Sequence, residues 1–353
     1  MRTLVYGAGP LGSTIAGRLL EAGVPVTLLA RRQRLADLTT HGVLLEDAVS
    51  GRVESFEVAV TDRLDPEDRY DLIIVAMRKD QSEAILPALA ANRHAHTILF
   101  MQNNAAGFDA YRDTLGQARV MAGFPLMGGQ RADPVMRIHR FGLMASPVGE
   151  IDGSLTERTY DVADLLARMR GHRIAVRTDM DAWLVTHVTL ILTYLGVYAA
   201  GLDAARFSRT RDARVLGVRA RNEALRAQRA AGIPVAPAWF TPAFALPEPL
   251  VVAQLQAMAA TDLFDVGVIA HARVAREEMR HLLTEFTDRV APGGLAMPTV
   301  ARLAAYAEDD VEPLPDGSAT EPLRWGGMAA FSVGFSAFVA SAAALLARAF
   351  ARK

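Results

Sequence analysis

Short, continuous apolar runs recur through the first half of the chain and then stop. Thr3–Tyr6, Val26–Ala30, Leu72–Met77 and Thr97–Met101 are apolar at successive positions, the pattern of strands covered on both faces rather than on one. Between and after them, Leu11–Ala22, Gln81–Ala91 and Ala106–Leu115 read as helices, and Ser154 opens another by pairing with Glu157 as a capping box. Strands that alternate with helices imply βαβ units, so the expected fold class is α/β, a Rossmann-like, doubly wound, mainly parallel sheet. Beyond Asp179 the strand pattern gives way to helices over Asp181–Ala200, Thr210–Ala231, Val251–Val290 with breaks, and Pro298–Ala307, with a proline-punctuated stretch over Pro234–Pro249. The expected organisation is therefore an α/β domain over 1–178, an all-α domain over 179–307, and a third segment over 308–353. That segment begins with a Pro/Asp-rich linker, Glu308–Pro322.

Its remainder has a different texture. Met328–Ala347 carries no charge and ends in Arg348, Arg352 and Lys353; at helical rise it spans about 30 Å, the thickness of a bilayer core. Two readings stand: a packing helix, suited to its many alanines and serines, or a contact with the inner face of a membrane. Composition narrows the rest. The chain has 353 residues, with 38 Lys and Arg against 39 Asp and Glu, so nothing in its overall charge points to nucleic acid. The absence of cysteine excludes a thiolate nucleophile, a Cys-ligated zinc and an iron–sulfur cluster. The first residues run directly into a strand, so no signal peptide is expected and the expected compartment is cytoplasmic. Only Lys79 and Lys353 are lysine, which makes amine chemistry scarce.

Gly7-Ala8-Gly9-Pro10-Leu11-Gly12 is a G-x-G-x-x-G turn between an expected strand and an expected helix. Its first glycine permits the turn, its second lets backbone approach a pyrophosphate, and its third lets helix and strand touch. At the end of the next strand, where a carboxylate would select NAD, the chain has Ala30-Arg31-Arg32-Gln33-Arg34. Guanidinium groups there would bind a ribose 2′-phosphate, so the expected cofactor is NADP(H), held first by Arg31 and second by Arg32. The later strands end in Met77-Arg78-Lys79-Asp80-Gln81 and Gln102-Asn103-Asn104. Carboxyl ends of strands line the crevice of such sheets, which makes Met77, Arg78, Gln81, Asn103 and Asn104 candidate cofactor contacts.

These residues resemble the ketopantoate reductase family, NADP-dependent enzymes that reduce a 2-keto acid to a 2-hydroxy acid. The resemblance runs over most of residues 1 to about 305. Besides the glycine turn and Arg31, it rests on Arg78-x-x-Gln81, Gln102-Asn103-Asn104, Gly149-Glu150-Ile151-Asp152-Gly153 and Asp179-Met180-Asp181-Ala182-Trp183. It implies a Rossmann domain joined to a helical domain, with a small keto acid bound between them and a homodimer left open. In the family a lysine two residues past the tryptophan is the general acid, followed by asparagines; those positions are Val185, Thr189 and Thr193 here. The family's cleft glutamate corresponds to Glu278, and its serine falls near Val266. The expected catalytic set is Glu278, Lys79, Thr189 and Thr193, with Lys79 as a proton donor whose pKa burial and neighbouring arginines would lower, and with Arg78 or a water held by Thr189, Thr193 and Glu278 as the alternative donors. His187 shares the opposite helical face with Trp183, Tyr194 and Tyr198 and reads as a core histidine. Glu278-Met-Arg-His281 matches only one half of a di-metal E-x-x-H set, so no metal is expected. With valine at the general-acid position, two alternatives remain: a nucleotide-binding sensor or membrane-tethered scaffold, or an oxidoreductase with a changed substrate.

Overall fold

The computed structural model describes residues 1–140, 144–238, 241, 246–261 and 264–326. The apolar stretch over Met328–Ala347, and with it the expected membrane contact, lies outside the described residues.

In chain order the first half contains β1 (Thr3–Tyr6), α1 (Pro10–Glu21), β2 (Val26–Leu29), α2 (Arg32–His41), β3 (Val43–Asp47), β4 (Val53–Phe56), β5 (Ala59–Thr61) and β6 (Leu72–Val75). There follow α3 (Lys79–Ser82), α4 (Leu86–Ala91), β7 (Thr97–Met101), α5 (Asp109–Leu115), β8 (Val120–Gly123), β9 (Met127–Ala132), β10 (Val135–Arg140), β11 (Ser146–Glu150), α6 (Glu157–Ala167) and β12 (Ile174–Val176). The second half contributes α7 (Met180–Ile191), α8 (Leu195–Ala199), α9 (Ala204–Arg209), α10 (Arg211–Ala230), α11 (Glu248–Ala259), a π-helical turn over Asp265–Ile269, α12 (Ala270–Val274), α13 (Arg276–Val290) and α14 (Pro298–Ala304).

Eight strands form the main sheet in the order β12-β11-β8-β7-β6-β1-β2-β5. From β8 to β5 the neighbours are parallel, while β11 runs antiparallel to β8 and carries β12 with it. The continuous apolar runs are explained by two cores, one on each face. Val5, Leu72, Ile74, Leu99 and Met101 face the core built with α1 and α6; Leu4, Tyr6, Ile73, Val75, Ile98 and Phe100 face the core built with α4, α5 and the start of α7. Alternate side chains point to opposite faces of a strand, so a strand buried on both sides shows no polar alternation. The N-terminal half is thus Rossmann-like and the C-terminal half is helical.

Several expectations need correction. A second sheet, in the order β4-β3-β10-β9, was not anticipated, because its strands are short and half-polar. It packs on α1: a Cβ on Gly129 of β9 would lie 3.0 Å from the Pro10 Cβ. The helix expected from Ser154 begins at Glu157, with Thr156 as its cap and Thr159 completing the box. Ser154 instead gives its amide and hydroxyl to Asp152 in the preceding turn. Glu308–Pro322 is not a free linker. The Leu314 amide bonds to the Ala199 carbonyl, Asp212 accepts the amides of Thr320 and Glu321, and Glu321 pairs with Arg219 and Arg302. These bonds strap the segment onto the helices.

Candidate active site

The glycine turn sits where β1 feeds α1. Gly7 has φ +114°, and a side chain there would strike the Ala76 carbonyl and Met77, so Met77 closes the turn from the adjacent strand end. At Gly12 a Cβ would lie 1.8 Å from the Gly7 oxygen, whereas at Gly9 it would meet nothing within 4 Å. The first and third glycines are therefore required by packing, and the second leaves open space. Gly9 is the N-cap of α1, with no side-chain cap and with Pro10 and Leu11 as the first helical residues. An open helix N-terminus without a capping side chain is a ready anion site. Ala8 is braced from behind, its carbonyl accepting from the Ser13 hydroxyl and from Arg34 Nε.

Arg34, the third arginine after β2, is buried and also bonds to Ser13 and the Pro134 carbonyl. Arg31 and Arg32 remain exposed, with one Arg31 Nη 3.0 Å from the Tyr6 hydroxyl. Arg32 has φ 52° and begins α2, whose first turn contains no acid.

Glu278, on α13, crosses from the helical half to the ends of β6 and β7. Its Oε1 accepts the Lys79 amide at 3.3 Å and Asn103 Nδ2 at 3.1 Å, and the residue is 3% exposed. The Asn103 Oδ1 is buried without a partner. One Arg78 Nη bonds to the Val274 carbonyl at 2.5 Å, a second link between the halves. The other candidates lie elsewhere. Gln81 is exposed, and Asn104 spends both ends of its amide on Gly107, shaping the loop after β7.

The expectation of an acidic, proton-donating Lys79 is overturned. Its ammonium lies 3.0 Å from Glu285 Oε1 and 2.9 Å from the Tyr111 hydroxyl, and it is 2% exposed. Burial pushes its pKa down, but Tyr111 and Glu285 outweigh that and hold it above the ordinary lysine value. Glu285 also accepts the Ala105 and Ala106 amides and lies 3.0 Å from His281 Nε2. Lys79 thus locks the two halves together. Its partners Tyr111, Ser82 and Glu285 escaped the sequence reading; only the seven-residue spacing from Glu278 to Glu285, two turns along one helix face, offered a signal. Glu83, His281 and Glu285 bring their ligand atoms within 4.8 Å of one another, a group distinct from Glu278–His281. The Lys79 ammonium, 3.5 Å from Glu83 and 3.0 Å from Glu285, already occupies the cation position among them.

The expected catalytic roles of Thr189 and Thr193 also meet a different geometry. Val185 and Thr189 are fully buried and Thr193 is 6% exposed. The Thr189 hydroxyl contacts the Val185 carbonyl and Gln228 Oε1, while Gln228 Nε2 reaches Thr186 and the Pro234 carbonyl. Helix α10 is pressed so close that a Cβ on Gly217 would lie 2.3 Å from the Thr193 carbonyl. This face of α7 therefore belongs to the helical core rather than to the crevice. His187, on the other face, stacks 5.3 Å from Trp183 and packs against Phe124, and burial lowers its pKa to about 4.

Residues 3–153 match the family model described as ketopantoate reductase PanE/ApbA. Over these residues the chain is similar to the ketopantoate reductase family, and the likeness beyond them is one of fold. The chain is 27% identical over 164 residues to a 2-dehydropantoate 2-reductase of Listeria monocytogenes, a match covering 45% of this chain and 54% of that protein. The alignment thus spans about half the length of that curated relative. Among solved structures, a PanE/ApbA-family ketopantoate reductase from Ralstonia eutropha superposes with TM-score 0.69 at 21% identity, over 87% of this chain and 97% of that one. D-Mandelate dehydrogenase, solved with NADH and anilino(oxo)acetate, gives 0.68 at 15% identity with the same coverage. The 2-dehydropantoate 2-reductase of Geobacter metallireducens gives 0.69 at 19%, covering 88% of this chain and all of that one (100%). The Rossmann-like N-terminal half is consistent with nucleotide binding.

Proposed function

We propose that the protein is an NADP-dependent reductase that converts a small 2-keto acid into a 2-hydroxy acid. The observation that carries this reading is the glycine turn: Gly9 opens an uncapped helix N-terminus to solvent beside two exposed arginines, Arg31 and Arg32. The fit to a dinucleotide is supported by two features. The space at Gly9 accepts a pyrophosphate against backbone amides. Cations in the first turn of α2 oppose the helix dipole, and a 2′-phosphate at Arg31 and Arg32 would relieve that opposition. Gly7, Ala8, Pro10, Leu11, Gly12 and Met77 complete the proposed dinucleotide cradle. When bound, a reduced nicotinamide supplies a hydride to the keto carbon.

The chain's own residues orient the substrate. Glu278 and Asn103 lie together at the strand ends, and the unpartnered Asn103 Oδ1 offers an acceptor toward the crevice. Arg78 holds α12 against that opening through the Val274 carbonyl. The buried face at Val185, Thr189 and Thr193 argues for a substrate other than ketopantoate, and it is the observation favouring the second reading, a superfamily oxidoreductase with changed specificity.

The test compares NADPH with NADH as ligands and then follows NADPH oxidation with ketopantoate and with aryl 2-keto acids. Tighter NADPH binding with turnover of one keto acid is expected; equal affinity for both dinucleotides overturns the NADP assignment. The reading takes the chain as cytoplasmic and a candidate homodimer. Among the described residues the one stretch long and apolar enough to cross a bilayer is Met180–Ala199, of which 78% is buried inside the protein. Fractionation with and without residues 325–353 tests the membrane contact of 328–347, and a protein that stays wholly soluble rejects it.

A further inference from the structure

We propose that His271 supplies the proton taken up by the keto oxygen, an assignment that rests on the reductase reading above. Its Nε2 lies 3.8 Å from Glu278 Oε2, and its side chain is 54% exposed while that of Glu278 is 5% exposed. One group of the pair is thus open to solvent and the other is held inside the crevice by Asn103 and the Lys79 amide. The chain is bent to bring them together. The π-helical turn over Asp265–Ile269 leads into α12, and the helix breaks at Ala275 before α13. The break folds His271, on α12, against Glu278, in the first turn of α13, and Arg78 fixes it through the Val274 carbonyl. π-Helical turns recur at functional sites because they displace side chains from the regular helical register.

The other donors are spent. The Lys79 ammonium is committed to Glu285 and Tyr111. The Tyr198 hydroxyl donates to the Ala272 carbonyl, and burial lifts its pKa to about 12. Thr189 is committed to Gln228, and His187 is half-buried on the far face of α7, stacked on Trp183. Imidazole is the side chain suited to giving and regaining a proton near neutrality.

The step balances. The keto carbon gains a hydride from the reduced nicotinamide and the C=O π pair moves to oxygen. The imidazolium N–H bond then breaks as the O–H bond forms, and solvent reprotonates the neutral imidazole. Glu278 on α13 faces His271; on the elements packed there, Arg276 and Arg280 turn to Asp309, and Arg78 turns to Asp80 and the Val274 carbonyl. Arg273 turns to the Leu202 carbonyl. Strand β9 brings Arg131, which pairs with Asp37 and Asp133.

The experiment uses the full chain, NADPH, and ketopantoate and phenylglyoxylate as probes, with His271→Gln and His271→Lys. His271→Gln is expected to lower kcat about 100-fold without changing NADPH affinity, and to remove the fall of kcat with rising pH. His271→Lys restores turnover and moves that fall to higher pH. Independently, the His271 Cε1 resonance of 13C-histidine-labelled protein is expected to shift when oxamate, a non-reducible 2-keto acid isostere, is added to the NADP+-saturated protein. If the native protein reduces a probe and His271→Gln matches its kcat at every pH, or the resonance ignores oxamate, the assignment falls and the reductase reading survives. If the native protein reduces neither probe, both fall.

Discussion

The turn over Gly7–Gly12 and the face carrying Val185 and Thr189 on α7 and Thr193 just beyond its end represent two ways of specifying a site. The turn is defined by missing side chains: two glycines are demanded by packing and one opens space for a ligand. The α7 face presents no amine and is closed by packing. Val185 is fully buried, the neighbouring threonine bonds to Gln228, and α10 fills the remaining room. A backbone cradle keeps its chemistry as long as its shape persists, whereas acid–base chemistry depends on one particular side chain and can move to another position.

The sharpest way to break this contrast is to add side chains to the turn. Gly12→Val places carbon where the Gly7 oxygen already lies and is expected to cost more than about 4 kcal/mol or abolish folding. Gly9→Ala, which meets nothing within 4 Å in the protein, should melt within a degree or two of the native protein and yet lose NADPH affinity. Melting curves and NADPH fluorescence titrations check both. A Gly9→Ala protein with native affinity would show that the open space holds no ligand.

Next in size is the lock between the halves. Lys79→Met leaves the buried Glu285 without its cation and should destabilise the protein by about 3–5 kcal/mol, read by urea denaturation. The pH dependence follows from the sign of the shift. The folded pKa of Lys79 lies above its ordinary value of 10.5, so the pair contributes fully below that pH and its contribution is lost as pH rises through the folded pKa. Lys79→Met should therefore lose the alkaline fall in stability expected of the native protein. An unchanged urea midpoint would return Lys79 to the list of groups free for chemistry.

How far the sequence carried depends on which part of the chain is considered. Strands β1, β2, β6 and β7 were legible because burial on both faces leaves an unbroken apolar run, and Gly7–Gly12 because its spacing reflects local sterics. The second sheet was not, since β3 and β4 are half-polar and β3 pairs with β10 far along the chain. Lys79 was misread for a related reason. Its neighbours in sequence are Arg78 and Asp80, but its environment is set by Glu285 and Tyr111, long-range partners invisible to a local reading. His271 escaped notice because only the break at Ala275 brings it to Glu278.

A smaller effect should separate the two arginines. Arg31→Ala is expected to lower NADPH affinity roughly tenfold while leaving NADH affinity unchanged, the loss of one charge-assisted contact to a 2′-phosphate. Arg32→Ala should do less, because Arg31 is the residue anchored by Tyr6. Isothermal titration with both dinucleotides measures the ratio. Equal losses for NADPH and NADH would place Arg31 in general charge attraction rather than in 2′-phosphate recognition.

The smallest effect concerns the far face of α7, where His187 is held neutral between Trp183 and Phe124. Burial lowers its pKa from 6.5 to about 4, so the unfolded chain binds a proton that the folded protein refuses. Stability associated with the neutral ring is complete above about pH 6.5 and is lost as pH falls toward 4. His187→Phe keeps an aromatic ring in the stack and removes the titration, so its melting temperature should fall less steeply over that window than that of the native protein. At pH 8 the two should differ little, because each presents an uncharged ring to Trp183. Parallel acid limbs for the two proteins would mean that His187 reaches water, and with it that this face of α7, unlike the face at Val185, retains contact with solvent.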